Sequence, residues 1–290
     1  MAEVATSGTS SATSDQLLVV IDPVARRADG ESVRIARDVL RAGAAGAKVC
    51  LPDGPEEFAR ALARRGSRRP VVVGDDRALV RAVELLHRQR ELAGCALSLV
   101  PVGGSVSLAR ALGVPSGAVA AARAVLDGAE RRMDLLVDDS DGVVLGALRI
   151  PPLGSPSPGS PARDPADGVP RPWLRTCRSL VRTLAPARPP AAPGSGPTRL
   201  RVEVDGETLV DLHQSVEAVS VVPGASGTAH VEVRPASVGA EASALSAEGR
   251  TITVSGAHFR YRADATVSGP VRTRTWEVRE GAWGLTVPAR

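Results

Sequence analysis

VVVGDDRALVRAVELL, residues 71–86, is the stretch on which the reading of this chain turns. An apolar, strand-like run meets a sharp turn at Gly74-Asp75-Asp76-Arg77-Ala78, and a helix pattern follows over 76–90. Phosphate-binding turns sit at such corners. Glycines there let successive N–H groups point at an anion, often through positive φ, and the helix N-terminus adds partial positive charge. Here only Gly74 is a glycine, and aspartate is also a favoured N-cap. Three readings stay open from these residues alone: a nucleotide site, a degenerate one, and an ordinary strand-to-helix corner.

The surrounding pattern places the corner in an α/β domain. LLVVID (17–22), AKVCL (47–51), PVVVG (70–74) and CALSLVPV (95–102) read as strands. Between them ESVRIARDVLRAG carries Val33, Ala36, Val39 and Leu40 on one helical stripe and stops at Gly43. PEEFARALARRG follows an expected N-cap at Asp53, with Pro55 just inside and Glu56 in the capping-box position. SVSLARALGV and SGAVAAARAVLDG read as further helices, MDLLVDD and DGVVLGALRI as strands. Strands alternating with helices of this length predict a mostly parallel sheet covered on both faces.

The rest of the chain differs. Residues 151–170 hold seven prolines, and 186–197 are again rich in proline and glycine. The whole of 151–197 reads as a linker carrying one amphipathic helix, 171–185. Trp173, Leu174, Cys177, Leu180, Val181 and Leu184 share its apolar face. That face suits either docking on a domain or contact with a membrane surface or partner. From 198 to 290 short alternating runs predict an all-β domain, beginning with a hairpin around Asp205-Gly206. The expected organisation is thus a disordered tail (1–14), an α/β nucleotide-binding-like domain (15–150), the linker, and a β-sandwich-like domain (198–290).

Composition narrows the function classes. The chain has 290 residues with net charge +4, and one of its 36 basic residues is a lysine, Lys48. Six aromatic residues are too few for a base-stacking surface, so no specific nucleic-acid partner is expected. The basic charge also suits peripheral attraction to anionic lipid. Cys50, Cys95 and Cys177 lack metal or redox spacing, and the four histidines are dispersed. No apolar run approaches the roughly 18 residues of a membrane span, and the start lacks a secretion signal, so a cytoplasmic location is expected.

Several stretches taken in order resemble the diacylglycerol kinase catalytic family, which includes bacterial lipid kinases and sphingosine kinases and is related to NAD kinases. The first strand ends in Asp22-Pro23 where the family has Asn-Pro. The third runs into Gly74-Asp75-Asp76-Arg77-Ala78 where the family has Gly-Gly-Asp-Gly-Thr, and Leu79 follows as in the family. PVGGSVSLARALGVP keeps Pro101, Gly103, Ala109, Arg110, Leu112, Gly113 and Pro115, with Gly104, Ser105, Val106, Ser107 and Leu108 in the variable middle. VLDGAERRMDLL keeps Asp127, Gly128, Asp134 and Leu135, with Arg131 or Arg132 as the family's arginine. FRYRADATVSGP offers Asp264 where the family's Asp-Gly-Glu carries its general base, and the tail resembles the family's closing strand. Asp205-Gly206-Glu207 repeats that triplet but fits better as the earlier hairpin turn.

The resemblance implies an ATP-dependent lipid kinase. Nucleotide phosphates would lie over Gly74, Asp75, Asp76, Arg77 and Ala78 and over Gly103, Gly104 and Ser105. Magnesium would be held with help from Asp76, and Asp264 would act as catalytic base on a lipid alcohol presented at the membrane surface. The departures bear on this. Asp75 puts a negative charge where phosphate oxygens would sit, and two unit charges at about 4 Å repel by about 4 kcal/mol at an effective dielectric near 20. That is about three decades in affinity unless something offsets it; Arg77 is the candidate. Ala78 lacks the hydroxyl, and Val106 and Ser107 replace an amide and a carboxylate. A non-catalytic, pseudokinase-like protein that binds lipid or nucleotide stays open beside the enzyme.

Overall fold

Leu17, Leu18, Val19, Val20 and Ile21 are each at most 1% exposed, as a strand covered on both faces requires. They form β1 (Gln16–Ile21) in the computed structural model, which describes residues 16–152, 198–236 and 243–289. The expected tail and the amphipathic helix 171–185 lie outside the described residues.

The chain leaves β1 at Asp22, whose carboxylate accepts the Val24 N–H at 2.7 Å and caps α1 (Pro23–Ala28). Six residues are too few to show a period, and this helix was not anticipated. Asp29 caps α2 (Gly30–Gly43), which buries Val33, Ala36 and Leu40 as expected. After β2 (Gly46–Cys50) comes α3 (Pro55–Ala63). The N-cap here is Gly54 and not Asp53, and Glu57, not Glu56, reaches back to the Asp53 N–H at 2.9 Å. Asp53 sits one residue too early to cap and pairs with Arg26 instead, at 2.7 Å. The domain continues through β3 (Arg69–Gly74), α4 (Asp76–Arg88), β4 (Ala96–Pro101), α5 (Ser107–Ala111) and α6 (Ala118–Asp127).

β2, β1, β3 and β4 are parallel neighbours in that order. The strand period of two separates the faces of β1. Leu17, Val19 and Ile21 pack with Val33, Ala36 and Leu40 of α2 and with α6. Leu18 and Val20 pack with Phe58 and Leu62 of α3 and with Leu79, Val83 and Leu86 of α4.

The remaining strands are β5 (Ala129–Asp138), β6 (Val143–Val144), β7 (Leu148–Ile150), β8 (Thr198–Val204), β9 (Glu207–Val210), β10 (Ser215–Pro223), β11 (Ala229–Pro235), β12 (Leu245–Gly249), β13 (Thr251–Ala263) and β14 (Thr266–Val287). The expected hairpin is present. Val204 pairs with Glu207, and Asp205 and Gly206 have φ of 51° and 86°, both positive as a type I′ turn needs. RTITVSG and HFRYRA, read as two strands, form the single strand β13, and RTRTWEVR and WGLTVP both belong to β14. Register shifts near Ser255, Phe259 and Arg279 interrupt the alternation and made each look broken.

Two pairings join the halves of the chain. β7, which ends at Ile150, is hydrogen-bonded to β10 and β13. β14 pairs antiparallel with β13 and β5, and its Gly284 and Leu285 run parallel to β4. β14 therefore places Trp276 in the core enclosed by the later strands and Trp283 in the core under α3 and α4, both 0% exposed.

Replacing Trp276 or Trp283 by alanine is expected to lower stability by about 3–5 kcal/mol each. Urea unfolding followed by circular dichroism should show the loss in one transition, because one strand serves both cores; separate unfolding of the two cores would contradict this coupling.

Candidate active site

The corner between β3 and α4 is capped by its own side chain. Asp75 Oδ1 accepts the Arg77 and Ala78 N–H groups, each at 3.1 Å. Those are donors that an anion at a helix N-terminus would otherwise take. Gly74 does not adopt positive φ, contrary to the expectation for a glycine of an anion cradle. Close packing fixes it instead: a Cβ there would lie 2.6 Å from Ala78 Cβ and 3.1 Å from Asp22 Cβ. Gly74 and Ala78 thus form the packed back of the turn.

Asp76 ties this turn to the next loop. Its N–H donates to the Ser105 carbonyl at 2.8 Å. Its carboxylate accepts from Ser105 Oγ (3.1 Å), Ser107 Oγ (3.2 Å), the Leu108 N–H (3.0 Å) and the Ala109 N–H (3.0 Å). A carboxylate offers about four lone-pair sites, so Asp76, only 2% exposed, is saturated. It caps the short α5 from a distance, and as a magnesium ligand it would have to surrender those bonds. Gly103 has φ of 123° and approaches Asp75 so closely that a Cβ would lie 3.3 Å from Asp75 Cβ. Gly104 faces open space.

Asp264 occupies the two-residue turn between β13 and β14, with φ of 48°. Its carboxylate accepts three consecutive backbone N–H groups, Leu145 (2.7 Å), Gly146 (2.8 Å) and Ala147 (2.9 Å), and its own N–H donates to the Ala147 carbonyl (2.9 Å). A Cβ on Gly146 would come within 2.5 Å of Leu108 Cδ1 and 3.1 Å of Asp264 Oδ1, so this loop fits between α5 and Asp264 only with glycine there. Burial raises the Asp264 pKa above its ordinary 3.8; the three N–H groups oppose the rise, and the Asp76 charge adds to it.

These pieces enclose one cavity of about 590 Å³. Asp75, Asp76, Arg77, Gly104 and Ser105 line it together with Asp264, Ala265, Gly146 and Ala147. Gly74, Gly103 and Ala78 stand outside the lining. Arg149 of β7 and Arg262 of β13 also line the cavity and were missed in the sequence. Arg149 and Arg262 are far apart in the chain, and although Arg262 lies two residues before Asp264, only strand register brings the two arginines together. Asp205, by contrast, serves its hairpin and accepts the Arg250 and Thr251 N–H groups, consistent with its reading as a turn.

The architecture has counterparts among solved structures. Three of these come from Bacillus anthracis str. Sterne. One is described as a diacylglycerol kinase, and two are provisionally assigned as one. Their TM-scores to this chain are 0.66, 0.67 and 0.68, at 13%, 13% and 14% identity, and each match covers 94% of this chain and 97% of the other. The chain has a diacylglycerol-kinase-like fold. No family model matches the sequence, and no curated protein does. The diacylglycerol-kinase-like fold is therefore visible in three dimensions while pairwise identity has fallen to a level that speaks for fold alone.

Removing the Asp75 cap with Asp75→Ala is expected to cost about 1 kcal/mol in urea unfolding. Asp76→Ala, which strands the Leu108 and Ala109 N–H groups, is expected to cost about 3 kcal/mol or more. A smaller loss for Asp76 than for Asp75 would refute the tying role given to it.

Asp264 sets a pH dependence. Its raised pKa means the native state holds the proton more tightly than the unfolded chain does, so its contribution to stability falls as pH rises from 3.8 through the native pKa. Unfolding free energies of wild type minus Asp264→Asn, measured across that range, should decline with pH; a rising difference would reverse the assignment.

Proposed function

We propose that the chain is a lipid kinase that holds ATP in this cavity and transfers its γ-phosphoryl group to the hydroxyl of a lipid alcohol such as diacylglycerol. One observation carries the reading: Asp264, held by three backbone N–H groups, lines the same cavity as the β3–α4 turn. Those bonds fix the carboxylate and occupy about three of its four acceptor sites, leaving one for a substrate hydroxyl. Burial makes it a stronger base than an exposed aspartate. The hydroxyl proton passes to Asp264 as the oxygen attacks the γ-phosphorus and the bond to the β-phosphate oxygen breaks, releasing ADP.

Asp75 weakens nucleotide affinity relative to a glycine turn, by its charge and because its carboxylate already holds the Arg77 and Ala78 N–H groups. The fold family implies magnesium with the nucleotide. Among the described residues no three His, Cys, Asp or Glu side chains group to hold a metal ion, and Asp76 is saturated. The residues present do not make a magnesium cage. No described helix is long and apolar enough to cross a membrane.

The test is transfer from labelled ATP, with and without magnesium, to vesicles of mixed lipids containing diacylglycerol. Asp264→Asn should lower transfer about 100-fold or more while leaving nucleotide affinity within about threefold. A wild-type protein that binds ATP or lipid but transfers nothing would make this a non-catalytic binding protein.

A further inference from the structure

We infer that Arg77, Arg149 and Arg262 form an anion subsite that receives a phosphate dianion in place of the glycine-turn cradle. The inference rests on the reading that this cavity receives a phosphorylated ligand, and it does not require phosphoryl transfer.

The backbone donors of the turn are already engaged. The Asp76 N–H goes to the Ser105 carbonyl, the Arg77 and Ala78 N–H groups to the Asp75 carboxylate, and the Leu79 N–H to the Asp75 carbonyl. An anion entering the cavity therefore finds none of these amides available. The carboxylates of the lining are also turned onto the protein: Asp75 onto two N–H groups, Asp76 onto two N–H groups and two hydroxyls, Asp264 onto three N–H groups. Among the described residues, neither Arg77 nor Arg149 is ion-paired with any of the three.

The positive charges are disposed differently. Arg149 and Arg262 sit directly opposite each other across β7 and β13, and both line the cavity. Strand pairing thus sets two guanidinium-bearing residues side by side on the cavity lining. The neighbour of Arg149 on its other side, in β10, is Ser220, which brings no compensating charge. Arg77 lines the same cavity from the first turn of α4. Among the described residues the Arg77 and Arg149 guanidinium groups have no ion-pair partner, and both residues are exposed. Guanidinium groups match phosphate oxygens through paired N–H donors. A cavity of about 590 Å³ has room for more than a bare phosphate, so the ligand class is a phosphate ester or polyphosphate.

Two sources share that chemistry: the terminal phosphates of a nucleotide and the monoester headgroup of a phospholipid. Calorimetry with tripolyphosphate in magnesium-free buffer tests the first. Flotation with phosphatidylcholine vesicles doped with phosphatidic acid tests the second. Wild type should bind at least one of these probes. Arg149→Gln and Arg77→Gln should each weaken that binding about tenfold, as loss of one charge-assisted contact does. Both positions are exposed, so unchanged circular dichroism melting should accompany the loss, and Arg34→Gln, whose partner is Glu31 on the surface, should bind as wild type does. Binding of tripolyphosphate only, or of phosphatidic acid vesicles only, supports the subsite and names its source. Failure of wild type to bind either probe, or wild-type binding by Arg149→Gln, overturns it. Arginine-dependent anion binding without lipid phosphorylation would keep the subsite and remove the kinase reading.

Discussion

A buried carboxylate is costly unless every lone pair is met, and Asp76 meets that demand with four donors from one short segment, 105–109. The floor of the cavity depends on this. Residues 103–106 have no regular structure of their own to hold them, and α5 spans only five residues. One side chain at the start of α4 supplies the cap that α5 lacks locally and fixes the loop against the turn. It also places Leu108 where Gly146 must pass it, which in turn sets the three N–H groups that hold Asp264. A chain of contacts thus runs from the β3–α4 corner to the β13–β14 turn through one buried charge.

The substitutions that make the turn look degenerate have a common physical sense. A glycine-rich corner leaves its N–H groups unsatisfied until a ligand arrives. Aspartate at position 75 satisfies two of them permanently. The corner gains a stable helix start and loses its open donors. Its charge, counted from sequence as repulsion toward a phosphate, is half of the matter; the hydrogen bonds it makes are the other half, and both follow from a helix N-terminus favouring any nearby anion, including one from its own chain.

Much of the architecture was legible from local signals. The apolar runs of β1, β2, β3 and β4, the stripe of α2 and the Asp205-Gly206 turn carry their own physics, and each appeared where local rules put it. The order of weak motifs led to the right fold although each motif alone is thin. What escaped was non-local. Continuity of β13 and β14 across register shifts depends on partner strands. The pairing of Arg149 with Arg262 exists only once β7 lies beside β13. The saturation of Asp76 needs a loop about thirty residues away to fold back over it. No period or spacing in one dimension encodes such meetings.

β14 has a consequence for how the molecule is made. β4 has β3 on one side, and its other side is filled by Gly284 and Leu285; close by, Ser98 Oγ donates to Thr286 Oγ1 at 2.9 Å across a sequence separation of 188. A ribosome delivers residues in order. From the moment β4 emerges until β14 follows it, the nascent sheet presents a bare edge of backbone donors and acceptors. Long-range closure of this kind is slow and leaves the growing chain open to strand capture by its neighbours, so its vulnerable period is its own translation.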